Sequence, residues 1–379
     1  MEVAKKKETK TEKEEKKQPE SKKLNYTLCI PSTVISEGNV KSLKEITQIA
    51  YQIAKNCTIY DVSEIVVLDI PEIHLKNKPN EDLKQDTIKI KFEDNGNNYN
   101  EKSFKKTGKN YSENSLLLAS LLQFFITPPY LVKSTFKADM IKNFKYAKTF
   151  PKLSTLPFMN NKIANADGNE YPDKKVVKRK HIPGEKVRKN KKKNKEAILT
   201  KYVNIGKSKA LTLIDQEVPI NVRVTVNLKT SKVVSPIEAY GNSKIGANLS
   251  FGYHVRISTN FISIFVETPF ANGYSSSIYV QSGDYYSDVS SKTAKFPRML
   301  NIDEKLILER DKKEEFNLLL VYGKLTDYDK AFQQSKSELE AVNNLTEMFD
   351  GKLGIKKSNI RIEDAILISL ARIDFIANR

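Results

Sequence analysis

GKLGIKKSNIRIEDAILISLARI, residues 351–373, is where the chain's pattern is densest. Gly351 and Gly354 bracket a turn, a use that suits a residue without a Cβ. Ser358 or Asn359 can cap the helix that follows, and Glu363 and Asp364 place negative charge at its positive end. Ala365, Ile366, Ile368, Leu370, Ala371 and Ile373 make that helix apolar enough to be buried on most sides, over residues 362–375. On physical grounds alone this is an ordinary packing helix.

The segments on either side have α/β texture. Ser276–Gln281 and Phe316–Val321 read as strands and Asp327–Leu339 as a helix. Near the other end, Leu24–Ile30 alternates and stops at Pro31, which predicts a strand. Leu43, Ile46, Ile49, Ile53 and Cys57 follow helical spacing, and Ile65–Leu68 is a short apolar run typical of a strand covered on both faces. Strand, helix and strand in so short a span predict a parallel βαβ unit. Pro71–Tyr111 reads as an inserted loop, and Leu116–Ile126 as a helix ended by Pro128 and Pro129. Between these pieces the texture changes. Ile220, Val222, Val224, Val226 and Leu228 alternate with polar residues, and Val233–Tyr240, Gly252–Ser258 and Phe261–Val266 are further strand-like runs. Short strands at this spacing predict a small antiparallel barrel. The fold class is therefore α/β, with one domain in two pieces. The division is a Lys/Glu-rich tail (1–23, expected to be disordered), a first α/β part (24–160), a basic linker (161–197), a β insertion (198–266) and a second α/β part (267–379).

Composition narrows the function. The chain has 379 residues, 39% of them hydrophobic and 29% charged, and no apolar run reaches the roughly 20 residues that span a bilayer. The opening MEVAKKKETKTEKEEKK lacks the apolar stretch of a secretory signal. Two cysteines, Cys29 and Cys57, cannot form a disulfide framework, which suits a reducing compartment. His74, His181 and His254 have no metal-site spacing, so no metal is expected, and His254 reads as structural. No G-x-G-x-x-G follows a strand, and the GKS at 206–208 has Lys201 where a phosphate loop needs glycine. The net charge of +18 is concentrated in residues 174–195, which hold twelve Lys or Arg against one Glu. Such a block attracts a polyanion and also serves as a nuclear address; the two uses are compatible. Lys178, Arg179, Lys180, Arg188, Lys191, Lys192 and Lys193 are the candidate RNA contacts.

SNIRIEDAILISLA (358–371) resembles the IRTEEAILISLA signature of the SPOUT methyltransferases related to human centromere protein 32. LCIPSTVI (28–35) and EIVVLDI (64–70) look like that family's opening strand–helix–strand. SLLLASLLQFFITPPYLVKSTF (115–136), FGYHVRISTNFISIFVETPFANGY (251–274), YSDVS (286–290) and LLLVYGKL (318–325) match further family blocks in the expected order.

The resemblance implies an S-adenosylmethionine-dependent RNA methyltransferase, acting in the nucleus or nucleolus, with ribosomal RNA as the expected substrate. It also implies a SPOUT domain with a C-terminal trefoil knot, an OB-like barrel insertion and a homodimer. Three loops would hold the cofactor: Glu267–Gly273, Val321–Leu325 and Leu353–Arg361. Within them the candidate contacts are Glu267, Thr268, Pro269, Gly273, Val321, Tyr322, Gly323, Leu325, Leu353, Gly354, Ile355 and Ile360. Arg361 matches the family's arginine and is expected beside the cofactor or the acceptor base; Glu363 orients it or caps the helix. The departures are Lys324 and Lys356 in place of glycines, Ser358 in place of arginine, and LSTLPFMNN (153–161) in place of a histidine-containing element. They leave open an RNA-binding or ribosome-assembly factor that keeps the fold without catalysis, or a protein methyltransferase.

Overall fold

The structure, a computed structural model, describes residues 23–70, 111–156, 159, 173–176, 199–205, 210–220, 222–235, 252–282, 299–302, 315–339, 341–355 and 360–377. Among them the strands are β1 (Lys23–Pro31), β2 (Glu64–Leu68), β3 (Asp173–Val176), β4 (Leu199–Thr200), β5 (Tyr202–Asn204), β6 (Leu211–Thr212), β7 (Val218–Pro219), β8 (Arg223–Asn227), β9 (Lys232–Val234), β10 (His254–Ser258), β11 (Ser276–Gln281), β12 (Glu315–Gly323) and β13 (Gly351–Leu353). The helices are α1 (Leu43–Ile59), α2 (Glu113–Phe125), α3 (Val132–Thr135), α4 (Ala138–Asn143), α5 (Ser263–Val266), α6 (Leu325–Gln334) and α7 (Ile362–Ala377).

Six strands form one sheet in the order β10-β2-β1-β12-β11-β13, and every pairing in it is parallel. The expected βαβ unit is present, with Thr27–Pro31 in register with Glu64–Leu68. Parallel strands need crossovers that cover both faces, and the strand sequences reflect this. In β12, Phe316, Leu318, Leu320 and Tyr322 face a core built with α1, α2 and α7. Leu319 and Val321 face the opposite core, built with α5 and α6. The helices begin where local chemistry allows. Ser42 accepts the Glu45 N–H at 3.2 Å, while the Glu45 carboxylate accepts the Lys41 N–H at 3.3 Å, an S-x-x-E arrangement that satisfies otherwise free amides. Asp69, at the end of β2, accepts the Ser112 N–H at 3.0 Å and the Ser115 hydroxyl at 2.6 Å, fastening the start of α2 to the sheet.

Between β2 and β10 the chain contributes a five-stranded antiparallel sheet, β6-β5-β3-β8-β9, and a separate β4-β7 pair. The core here is small: Val203, Leu213 and Val226. Three expectations need correction. His254–Ser258, expected in the insertion, pairs with β2 in the large sheet. Asp173–Val176, expected in the linker, pairs with β5 and β8. Phe261–Val266, expected as a strand, is a turn leading into α5, because a short apolar run fits a buried helical turn as well as a strand. No helix among the described residues is long and apolar enough to cross a membrane.

Candidate functional site

β1 and β12 are neighbours, but the chain leaves them in opposite directions: β1 leads to β2 on one side, β12 to β13 on the other. Ligands of open parallel sheets bind in the crevice outside the carboxyl ends of the strands at such a switch point. Gly323 stands there. Its φ is +120°, which L side chains rarely adopt, and an added Cβ would lie 2.8 Å from Pro31 Cγ at the end of β1. The turn around it is fixed by hydroxyls. The Gly323 N–H donates to Ser282 Oγ at 2.9 Å, and Tyr279 OH donates to the Gly323 carbonyl at 2.7 Å. Tyr328 OH donates to the Tyr322 carbonyl at 2.7 Å, and the Tyr322 hydroxyl meets Ser369 Oγ of α7 at 2.6 Å. Burial pushes the Tyr279, Tyr322 and Tyr328 hydroxyls well above the usual phenol range, so they stay protonated and act as donors rather than bases. Burial likewise raises the Cys29 thiol to about 12, which removes it as a nucleophile.

Lys324 follows with φ −80° and ψ 133°, an ordinary extended geometry just before α6. A side chain at this position therefore costs no backbone strain. The glycine whose conformation matters, Gly323, is retained. Val321 is buried and Leu325 half-buried in the α6-side core. Lys356, Ser358 and Asn359 lie outside the described residues.

The second loop begins at Leu353, buried at the end of β13. Gly351 opens that strand rather than a turn, and an added Cβ there would lie 2.7 Å from the Leu300 carbonyl oxygen. At Gly354 the surroundings are open: a Cβ would have Asn301 Oδ1 as its nearest neighbour, at 3.8 Å. The Gly354 carbonyl accepts from Arg372 Nη1 at 2.7 Å, and Ile355 and Ile360 pack half-buried against the main core. Arg361 precedes α7, and its carbonyl accepts the Ala365 N–H at 3.0 Å. Its guanidinium lies between two carboxylates, with Nε 2.7 Å from Glu363 Oε1 and Nη1 3.6 Å from Glu45 Oε1 in the first turn of α1. Glu363 is buried, and its carbonyl accepts from Asn56 of α1 at 2.8 Å. That burial outweighs the pull of its own N–H and of Arg361, holding its carboxyl above the ordinary carboxylate range.

The structure does not bring the third expected loop to this edge. Glu267, Thr268, Pro269 and Gly273 precede β11, at the opposite end of the strands. The Gly273 carbonyl accepts from Asn317 Nδ2 at 3.0 Å, and Ser275 N–H donates to the Asn317 carbonyl at 2.7 Å. Asn317 lies near the start of β12, roughly 20 Å below Gly323 at ~3.3 Å per residue. The residues that do lie at this edge are Gln281, the last of β11, and Ser282, which follows it. The rule that parallel sheets bind ligands at carboxyl ends would have selected them from sequence. The 267–273 loop has a structural anchor instead. Arg256 pairs with Glu64 at 2.8 Å and donates to the Ser263 and Ile264 carbonyls at 2.7 and 3.1 Å, while Tyr274 OH donates to Glu64 at 3.2 Å.

The seven basic residues assigned to RNA contact, Lys178, Arg179, Lys180, Arg188, Lys191, Lys192 and Lys193, lie outside the described residues. Among those described, no group of His, Cys, Asp and Glu has the grouping of a metal site.

An α/β protein with a parallel sheet and a switch point between β1 and β12 fits many activities; the comparisons with known proteins narrow them. Residues 25–373 match the family described as "Putative RNA methyltransferase", and the chain belongs to it. Two relatives from Saccharomyces cerevisiae carry the names "Putative methyltransferase YGR283C" and "Putative methyltransferase YMR310C". The first is 33% identical over 93% of this chain and 88% of its own length, the second 32% over 94% and 96%. The human 28S rRNA (uridine-N(3))-methyltransferase is 26% identical over 91% of this chain and 77% of its own length. The protein is thus an RNA methyltransferase by family, which requires a methyl donor and an RNA acceptor.

Proposed function

We propose that the protein transfers a methyl group from S-adenosylmethionine to a base nitrogen of ribosomal RNA, with uridine N3 as the acceptor suggested by the names of the mammalian relatives. The observation that carries the donor site is the Gly323 turn at the switch point, with Gly354 at the same edge of the sheet on the far side of β11. The residues suit the group. The half-buried Leu325, Ile355 and Ile360 supply apolar surface for an adenine, and Gly354 leaves room for close approach to backbone. The Tyr322–Gly323 backbone turn forms the other wall, with the Val321 and Tyr322 side chains buried in the two cores behind it. When bound, S-adenosylmethionine supplies an electrophilic methyl on a sulfonium.

The chain's own part is alignment and charge. Arg361 is held by Glu363 and Glu45, so its guanidinium is placed in advance. It cannot act as a base. Beside a pyrimidine carbonyl, however, a fixed guanidinium favours the anion left when the ring N–H gives its proton to water. Glu363 acts through Arg361.

The finer architecture belongs to the same reading: a SPOUT domain in two parts, a basic linker and an OB-like barrel insertion that binds RNA, and a nuclear, nucleolar location. A C-terminal trefoil knot is supported by the path from β12 through α6 on one face to β13 and then α7 on the other. A homodimer is supported by Leu367, Ile368 and Phe375, which leave an apolar stripe exposed along α7. Sedimentation at micromolar concentration showing only monomer would remove that part. The rival reading, a non-catalytic RNA-binding factor, rests on Lys324 and Lys356 narrowing the donor pocket. The ordinary φ at Lys324 shows that its backbone is unstrained. Restoring glycine at both positions should raise donor affinity if their side chains occlude the pocket.

Mass spectrometry of ribosomal RNA from cells with and without the gene tests the activity. One methylated base should disappear without the gene and return when purified protein and S-adenosylmethionine are added. An unchanged modification profile would overturn the proposal.

A further inference from the structure

We infer that Ser282 is a positioning residue for the methyl donor, because its hydroxyl and that of Tyr328 pin opposite ends of the Tyr322–Gly323 peptide that walls the donor crevice. The inference rests on the donor reading above. A peptide next to glycine rotates easily, because no Cβ opposes the movement. Here that freedom is removed from both sides. The Tyr322 carbonyl accepts Tyr328 OH at 2.7 Å, and the Gly323 N–H at the other end of the same peptide donates to Ser282 Oγ at 2.9 Å. The next carbonyl, that of Gly323, is held by Tyr279 OH at 2.7 Å. Three hydroxyls, two of them from β11 and the residue that follows it, thus fix two successive peptide planes.

Ser282 is well placed for this role. It is buried, its Oγ accepts from Gly323, and its own proton points to the Val280 carbonyl at 3.4 Å. The hydroxyl therefore has a defined direction. Since the Gly323 N–H is already engaged, Gly323 contributes shape to the crevice rather than a hydrogen bond to the donor. A donor that must fit between this turn and Gly354 feels any rotation of the peptide as lost contact. Tyr328→Phe frees the other end of the same peptide, so it should act on the same property as Ser282→Ala. The two effects should not add, because either loss alone releases the plane.

Calorimetry with S-adenosylmethionine on the full chain is the test, with binding of a ribosomal RNA fragment and the melting temperature followed in parallel. Ser282→Ala should weaken donor affinity about tenfold, as loss of one backbone hydrogen bond allows. RNA affinity should be unchanged, and in turnover assays KM for the donor should rise with kcat little altered. Ser282→Thr, which keeps the hydroxyl, should restore affinity. Ser282→Ala combined with Tyr328→Phe should be little worse than either alone. If the wild-type chain binds the donor and Ser282→Ala binds it equally well, the positioning role is wrong while the donor site stands. If Ser282→Ala lowers the melting temperature and both affinities together, the residue is merely structural. If the folded wild-type chain does not bind S-adenosylmethionine, the donor reading fails and this inference falls with it.

Discussion

Gly323→Ala is expected to abolish binding of S-adenosylmethionine and to lower stability by about 3 kcal/mol, from backbone strain plus overpacking. Two independent penalties meet at this residue. Its φ of +120° lies where a Cβ clashes with the chain's own backbone. The same Cβ would also lie 2.8 Å from Pro31 Cγ and 3.1 Å from Pro31 Cδ. These are atoms of a rigid ring at the end of a buried strand, so the neighbour cannot swing aside as a flexible side chain would. Relief has to come from the Gly323 turn, which would give up its bonds to Ser282 and Tyr279. The site is thereby lost even in molecules that fold. Urea unfolding and donor calorimetry on the variant read the two effects separately. Wild-type affinity in Gly323→Ala would mean that this turn does not shape the donor site.

The second large effect is far from the crevice. Arg256→Met should destabilise the protein by about 3–5 kcal/mol, the usual cost of stranding one member of a buried ion pair. The side chains of Arg256 and Glu64 are only 17% and 3% exposed, and the pair lies on the α5 side of the sheet. Burial works against the Arg256 charge, but Glu64 more than compensates and holds the guanidinium above its ordinary pKa. Removing Arg256 leaves the Glu64 carboxylate with the Tyr274 hydroxyl, and frees the Ser263 and Ile264 carbonyls that Arg256 holds. The double variant Glu64→Leu with Arg256→Met removes both charges, so it should be less destabilised than the sum of the single variants. A loss below about 1 kcal/mol in Arg256→Met would show that the pair is not the anchor described.

This ion pair also marks the limit of what local sequence pattern encodes. β12 and β2 were legible because strands covered on both faces become continuous apolar runs. β10 was not. Its His254 and Arg256 alternate with Val255 and Ile257, the signature of a strand with one wet face, which suits an antiparallel module better than a sheet covered on both sides. In the fold Arg256 is buried against Glu64, a residue distant in sequence, which no local pattern reveals. β3 was hidden by charge: DKKV reads as linker, yet it pairs on both sides. The α7 signature placed its helix correctly, and Arg361 with Glu363 came together as the motif suggested. The cofactor loops were only partly legible. Motif order along the chain does not say at which end of a strand a loop falls, so 267–273 reads like the loops that lie roughly 20 Å away, whereas the carboxyl-end rule points to Ser282.

Amide hydrogen exchange on the full chain, with and without saturating S-adenosylmethionine, tests the location of the donor site most directly. Slowed exchange is expected at 321–325 and across 353–361, with no change at 267–273. Protection at 267–273 without protection at 321–325 would contradict a donor site at the carboxyl edge of the sheet.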